Sequence, residues 1–209
     1  MLRLRITFAK TGQMRYTGHL DLHRTWERTI RRARLPLAYS QGFNPHPKIN
    51  LASALPLGFT GEKEMIDIWL EQDLPIPEVQ SALDKAAPPG IQISGIETID
   101  ERMPSLQTMI QASDFIITLL ETVPDLNERI SNLISADTLP RVRRDRPYDL
   151  RPLILKLSRI GDDEAGRAQI FARLMAREGE TGRPEEVLAA LGIDPLAARV
   201  HRTGLVFQD

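Results

Sequence analysis

The sequence contains no cysteine, which excludes a disulfide framework, a thiolate zinc site and any iron–sulfur cluster held by the chain's own thiolates. It has no apolar run near the ~18 residues that a spanning helix needs. Its start, MLRLRITFAK, alternates instead of showing the basic, apolar and small-residue succession of a secretory signal. These absences predict a cytoplasmic chain with no membrane partner. Aromatic residues are few, 5% of the 209, and no P-loop, dinucleotide-binding glycine fingerprint, serine elbow or paired zinc spacing occurs. Neither sign of charge prevails, the net charge being −1. With 42% hydrophobic and 26% charged residues, the composition is that of a globular protein of one large domain or two small ones.

The charge is unevenly placed. Residues 1–48 carry ten Lys or Arg against Asp21 and Glu27, net +8, whereas residues 49–135 carry four against fourteen acids, net −10. Such asymmetry is expected of a chain with one surface for a polyanion; alternatively the two blocks neutralise each other in the fold.

Apolar periodicity orders the elements. Leu2, Leu4, Ile6 and Phe8 alternate with Arg3, Arg5 and Thr7, predicting a strand over 2–9. Leu22, Trp26, Ile30 and Ala33 recur at helical spacing, predicting a helix from His19 to about Arg34, which Leu35-Pro36 ends. Extended segments at 49–55 and 64–71, a helix over 77–87 opened by Pro75 and Pro77, and a strand from Ile91 follow. The order repeats as a strand at 114–121, a helix at 124–136, strands at 150–159 and 167–176, a helix at 183–191 and a strand at 199–207. The predicted fold class is therefore α+β, with two ferredoxin-like β-α-β-β-α-β units in tandem. The units are 1–99 and 113–209, and residues 100–112 form the linker.

On the first helix Arg24, Arg28, Arg31 and Arg32 fall on the side opposite the apolar stripe, with Asp21 beside them. Guanidinium forks in a row match a phosphate backbone, although an arginine-rich face is also an ordinary solvated one. The segment Tyr39-Ser40-Gln41-Gly42-Phe43-Asn44-Pro45-His46-Pro47-Lys48 combines rings, amides, a glycine and stiffening prolines. That mixture suits RNA, with Tyr39, Phe43 and Asn44 engaging a base and Lys48 meeting phosphate; the alternative is a rigid loop whose rings pack inward.

His19 and His23 have the i to i+4 spacing of a metal pair, with Asp21 and His46 as further ligands, but the glutamate of a zinc protease is missing and packed histidines are the simpler reading. We expect neither a metal nor a cofactor. A metal-free RNA-cleaving site would need a general base, a general acid and a cation. His19 or His46, Tyr39 and Lys48 are the residues that could supply them. Arg141, Arg143, Arg144 and Arg146 form a second basic cluster, either a further phosphate contact or a balance to the acidic middle block.

Arg15-Tyr16-Thr17-Gly18-His19-Leu20-Asp21-Leu22, Arg24, Arg28, Arg31-Arg32-Ala33, Leu35-Pro36 and Tyr39-Ser40-Gln41-Gly42-Phe43-Asn44-Pro45 together resemble the radical SAM-linked (DUF2344) proteins. Ala54-Leu55-Pro56-Leu57-Gly58, Glu64, Asp67 and Asp149-Leu150-Arg151-Pro152 are similar to weaker signatures of the same family; His23 and His46 fall where its pattern varies. The resemblance spans essentially the whole chain. It implies a protein of RNA or translation chemistry that occurs as a separate chain or fused behind a radical SAM module, and the absence of cysteine fits a partner of the cluster-bearing catalyst. The tandem architecture is also similar to CRISPR repeat-processing endoribonucleases, by analogy of fold alone.

Three functions follow as expectations. The leading one is a non-catalytic RNA-binding module that presents tRNA or rRNA to a radical SAM enzyme on another chain. The second is a metal-independent endoribonuclease, and the third a protein-only adaptor of the radical SAM protein. A shared unknown is whether the acidic segment 62–73 faces solvent or covers the basic helix.

Overall fold

The computed structural model describes residues 1–208 and is an α+β fold of two compact units, one of residues 1–109 and one from Ile110 onward. The first unit contains β1 (Leu2–Lys10), α1 (His19–Arg32), β2 (Ile49–Leu51), β3 (Thr60–Leu70), α2 (Ile76–Ala86), β4 (Ile91–Ile99) and the single turn α3 (Leu106–Met109). Its strands lie in the order β4-β1-β3-β2, every pair antiparallel. Leu4, Ile6 and Phe8 of β1 and Ile66, Ile68 and Leu70 of β3 share one face of this sheet. They bury against Leu22, Trp26 and Ile30 of α1 and Val79 and Leu83 of α2. Phe8 and Trp26 meet edge to face, ring centroids 4.8 Å apart.

The end of α1 aims the chain into the loop that follows. Arg34 takes a left-handed conformation, φ 58°, while the Leu35 amide reaches back to the Ile30 carbonyl and the Arg34 amide to Arg31. This is a Schellman stop in which partly buried Leu35 packs against the core that holds Ile30, and Pro36 completes it.

The second unit contains β5 (Ile110–Leu119), α4 (Leu126–Ser135), β6 (Pro140–Arg143), β7 (Arg146–Asp149), β8 (Ile154–Asp162), β9 (Ala168–Arg177), β10 (Glu180–Thr181), α5 (Pro184–Ala190) and β11 (Ala198–Phe207). Its main strands run β11-β5-β9-β8, again antiparallel throughout, with β10 also on β9. The strands β6 and β7 form a separate hairpin. Among the described residues no helix is long and apolar enough to cross a membrane.

Two features differ from the periodicity-based expectation. Strand β5 begins at Ile110, inside the stretch 100–112 expected to link the units, because Ile110 and Ala112 already alternate inward as buried strand residues. The hairpin at 140–149 is absent from that expectation because four arginines and two prolines carry no apolar period.

Candidate nucleic-acid interface

Arg24, Arg28 and Arg31 lie at i, i+4 and i+7 on α1, a row roughly 10 Å long on one exposed helix side. The ion pairs of this row stay within the helix: Asp21 to Arg24 at 3.7 Å, both groups well exposed, and Glu27 to Arg31 at 2.8 Å. The exposed Asp21–Arg24 pair holds little, whereas half-buried Glu27 is a close partner of Arg31. Arg32, expected in the same row, points elsewhere and donates from Nη1 to the Ala86 carbonyl at 3.1 Å, satisfying the last turn of α2.

Arg31 connects the row to the loop. Its Nε and Nη2 donate to the Tyr39 hydroxyl at 3.2 and 2.9 Å, and its guanidinium lies 5.9 Å from the Tyr39 ring centroid. The Tyr39 hydroxyl, and after it the Glu27 carboxylate, push the already high Arg31 pKa further up, so the group is cationic at every accessible pH.

Backbone pairing gives the loop a closed base. The Lys48 amide donates to the Ala38 carbonyl and the Ser40 amide to the His46 carbonyl, each at 2.8 Å, and the His46 amide donates to Ser40 Oγ at 2.9 Å. Tyr39 and Pro47 form a β-bridge between them. Above this base Gln41, Gly42, Phe43, Asn44 and Pro45 are exposed, with Gly42 at φ 134°, a conformation that favours glycine. The two rings of the loop therefore differ in exposure. Tyr39 is half-buried against the core, whereas Phe43 is 106% exposed. Asn44 and His46 are exposed, and half-buried Lys48 places Nζ 3.7 Å from Met1 Sδ.

The residues considered for cleavage do not all meet. His46, Tyr39 and Lys48 share the loop base, but His19 opens α1, about 18 Å along the helix axis from Arg31. Among the described residues no group of three His, Asp or Glu side chains is placed to hold a metal.

Several charges of the first 48 residues are internal, which composition alone does not reveal. Arg3 Nη2 and Arg5 Nε meet the Asp67 carboxylate at 2.6 and 2.9 Å, with Asp67 fully buried and Arg3 2% exposed. Arg3 also donates to the carbonyls of Met103 and Pro104 and lies 5.0 Å from the Trp69 ring centroid. Because Asp67 alternates with Ile66 and Ile68, it points to the sheet face away from α1. Buried Lys10 donates to the carbonyls of Thr17 and Phe59 at 2.9 and 3.3 Å. Of the acids in 62–73, Glu64 and Asp67 are thus buried, and Glu62, Glu71 and Asp73 are exposed.

Sequence reasoning also missed how two motifs clasp each other. The Gly58 amide donates to the Arg15 carbonyl at 2.7 Å and Arg15 Nη2 returns a bond to the Gly58 carbonyl at 3.3 Å. Arg15-Tyr16-Thr17-Gly18 and Ala54-Leu55-Pro56-Leu57-Gly58 are thereby adjacent. Tyr16, Leu20 and Leu57 are left exposed. Their one sequence signal is apolar residues in segments rich in glycine and proline.

The fold and this surface define an α+β protein that offers a row of guanidinium groups, an exposed ring and an exposed amide on a rigid loop. The chain belongs to the family described as "Uncharacterized protein conserved in bacteria (DUF2344)", whose model matches residues 3–184. No curated protein matches the sequence. Among solved structures, a chain of a Cbf5-Nop10-Gar1 complex is similar, with TM-score 0.50 at 10% identity over 99% of this chain and 50% of that one. A chain of an H/ACA RNP bound to a substrate RNA containing 2'-deoxyuridine has TM-score 0.47 at 11% identity, over 99% of this chain and 49% of that one. The protein spans about half the length of each, and the likeness to the first is one of fold.

Proposed function

We propose that this protein is an RNA-binding accessory module, built of two ferredoxin-like β-α-β-β-α-β units, that presents tRNA or rRNA to a radical SAM enzyme on another chain. The antiparallel orders β4-β1-β3-β2 and β11-β5-β9-β8 support the tandem architecture. One observation carries the RNA reading: a fully exposed phenylalanine on a loop whose base is bonded to the end of an arginine row. Stacking needs an accessible ring face, and backbone binding needs cations that the fold has not consumed. Arg24, Arg28 and Arg31 hold phosphates, Phe43 and Asn44 engage a base, and Tyr39 positions Arg31. Lys48 is a further cation at the loop base, and Arg32 braces α1 on α2. The chain has no cysteine, so in this reading the cluster and the radical chemistry belong to the partner.

The test is RNA affinity at two salt concentrations, with EDTA present, for wild type and for Arg24→Glu/Arg28→Glu, which leaves the bonds of Arg31 and Arg32 intact. The double variant should weaken binding to tRNA and to single-stranded RNA alike. It should also flatten the log–log salt slope by about 1.4, at ~0.7 per lost phosphate contact on a single strand. An unchanged slope would sink the assignment of this helix. RNA recovered cut would favour the endoribonuclease with His46, Tyr39 and Lys48, and no binding by wild type would favour the protein-only adaptor.

Phe43→Ala should cost about 1–3 kcal/mol of affinity for single-stranded RNA, the usual worth of one stacked base, with an unchanged melting temperature because the ring buries nothing in the fold. Equal affinity for the two proteins would remove Phe43 from the interface.

A further inference from the structure

The second unit carries a cationic element that the reading above does not use. In the β6–β7 hairpin Arg141 faces Tyr148 and Arg143 faces Arg146. Residues opposite each other, and residues two apart on a strand, share a face. Arg141, Arg143, Arg146 and Tyr148 therefore form one face, on which Arg146 is exposed and Arg141, Arg143 and Tyr148 are half-buried, and Pro140, Val142, Pro147 and Asp149 form the other. Among the described residues none of Arg141, Arg143, Arg144 and Arg146 forms an ion pair. The facing pair Arg143 and Arg146 sets like charges against each other, which weakens a hairpin.

The turn is also chosen against local preference. Arg144 and Asp145 both have positive φ, 48° and 61°, the geometry of a two-residue hairpin turn that Asn-Gly makes with least strain. An arginine there places a cation at the tip where a better turn residue exists. Backbone strain of this kind, held by its surroundings, is a pointer to function.

The foot of the hairpin is what holds it. Asp149 Oδ1 accepts the amides of Leu139 at 2.7 Å and Arg151 at 2.9 Å. Those two bonds, Leu139 first, hold its carboxyl below the usual carboxylate range. Leu150 is fully buried, and Arg151 donates to the carbonyls of Ile134 and Ile154 at 2.9 and 3.1 Å. Asp149-Leu150-Arg151-Pro152 thus works as a mount for the ribbon above it. At the lower end of the arginine face Tyr148 is half-buried; burial and Glu186 raise its pKa while Arg141, Arg143 and Arg183 oppose them. Glu186 therefore sets an anion, and Arg183 a cation, beside the face.

We infer that the β6–β7 hairpin is a second phosphate-binding site, an arginine-faced ribbon that takes the backbone of an RNA strand independently of α1 and its loop. This rests on the RNA reading above. Guanidinium is the side chain suited to bidentate phosphate contact. The face carries no amide and no fully exposed ring, so it holds the backbone without reading bases. Its loss should lower affinity evenly across sequences.

The experiment uses the full chain and two variants, with a labelled single-stranded oligoribonucleotide and a stem–loop RNA as probes at two salt concentrations. Arg141→Gln/Arg143→Gln/Arg146→Gln removes the face. Its salt slope should be flatter by about 2, so that over a fourfold rise in salt wild type loses about twentyfold more affinity than the variant. Arg144→Asn/Asp145→Gly improves the turn while removing the tip cation; it should melt no lower than wild type and still show a flatter slope. An unchanged slope in the triple variant, with Arg24→Glu/Arg28→Glu still weakening binding, overturns the hairpin site and leaves the RNA reading standing. Wild-type protein that binds neither RNA overturns both. Should the triple variant fail to fold, the turn variant decides, and an unchanged slope there overturns the site.

Discussion

Replacing Asp67 with alanine should destabilise the first unit by about 3–5 kcal/mol, the usual cost of removing one partner from a buried ion cluster. The fully buried carboxylate is met by two guanidinium groups, at 2.6 Å from Arg3 and 2.9 Å from Arg5. Without it two cations face each other across one position. Arg3 keeps its bonds to the carbonyls of Met103 and Pro104, so the heavier penalty falls on Arg5, whose hydrogen bonds go to Asp67. Tryptophan fluorescence during urea unfolding is a direct readout. The chain has two tryptophans; Trp26 is in the core of this unit and Trp69 lies beside Arg3. Combining Asp67→Leu with Arg3→Met and Arg5→Met should recover most of the loss, because an apolar replacement of a whole buried cluster is often neutral. A single variant as stable as wild type would show that water reaches the cluster.

Gly90→Ala should cost roughly 2–4 kcal/mol, the sum of a disfavoured positive φ and an overpacked contact. Gly90 has φ +91°, and a Cβ there would stand 2.5 Å from the Thr11 carbonyl oxygen and 2.8 Å from Met14 Cγ. The Thr11 amide also donates to the Gly90 carbonyl at 2.8 Å, so neither backbone can yield without breaking that bond. Gly12 is the control: its φ is +54° with nothing within 4 Å of a Cβ. Gly12→Ala should lose only about 1 kcal/mol by the same fluorescence measurement. Equal losses at both glycines would refute the steric part of the argument.

The candidate interface shows how a single surface can be partly legible in sequence. The row Arg24, Arg28 and Arg31 follows from helical period alone, since the apolar stripe of Leu22, Trp26 and Ile30 must face the core. Arg32 sits at the edge of the same helix side, yet its guanidinium caps α2. Whether a long side chain points to solvent or folds back depends on which carbonyl lies within reach, and that is a property of the neighbouring helix. The two rings of the loop are alike in composition. One is bound to Arg31 and packs inward while the other is bare, a difference set by the bridge between Tyr39 and Pro47.

The sequence by itself determined the α+β class, the order of most strands and helices, the core stripe of α1 and the membership signalled by the Arg15–Pro47 block. Each is a local property, carried by periods of two and 3.6 residues or by neighbouring letters. Tertiary structure alone decided that Arg3, Arg5, Lys10, Glu64 and Asp67 are interior, that Arg15 clasps Gly58, and that four arginines without an apolar period stand as a hairpin. The physical reason is the same in each case. A charge can be buried only where a partner from a distant strand or loop satisfies it, and a hairpin of polar residues persists only where its foot is bonded into a core. Neither condition is written at the residue's own position in the chain.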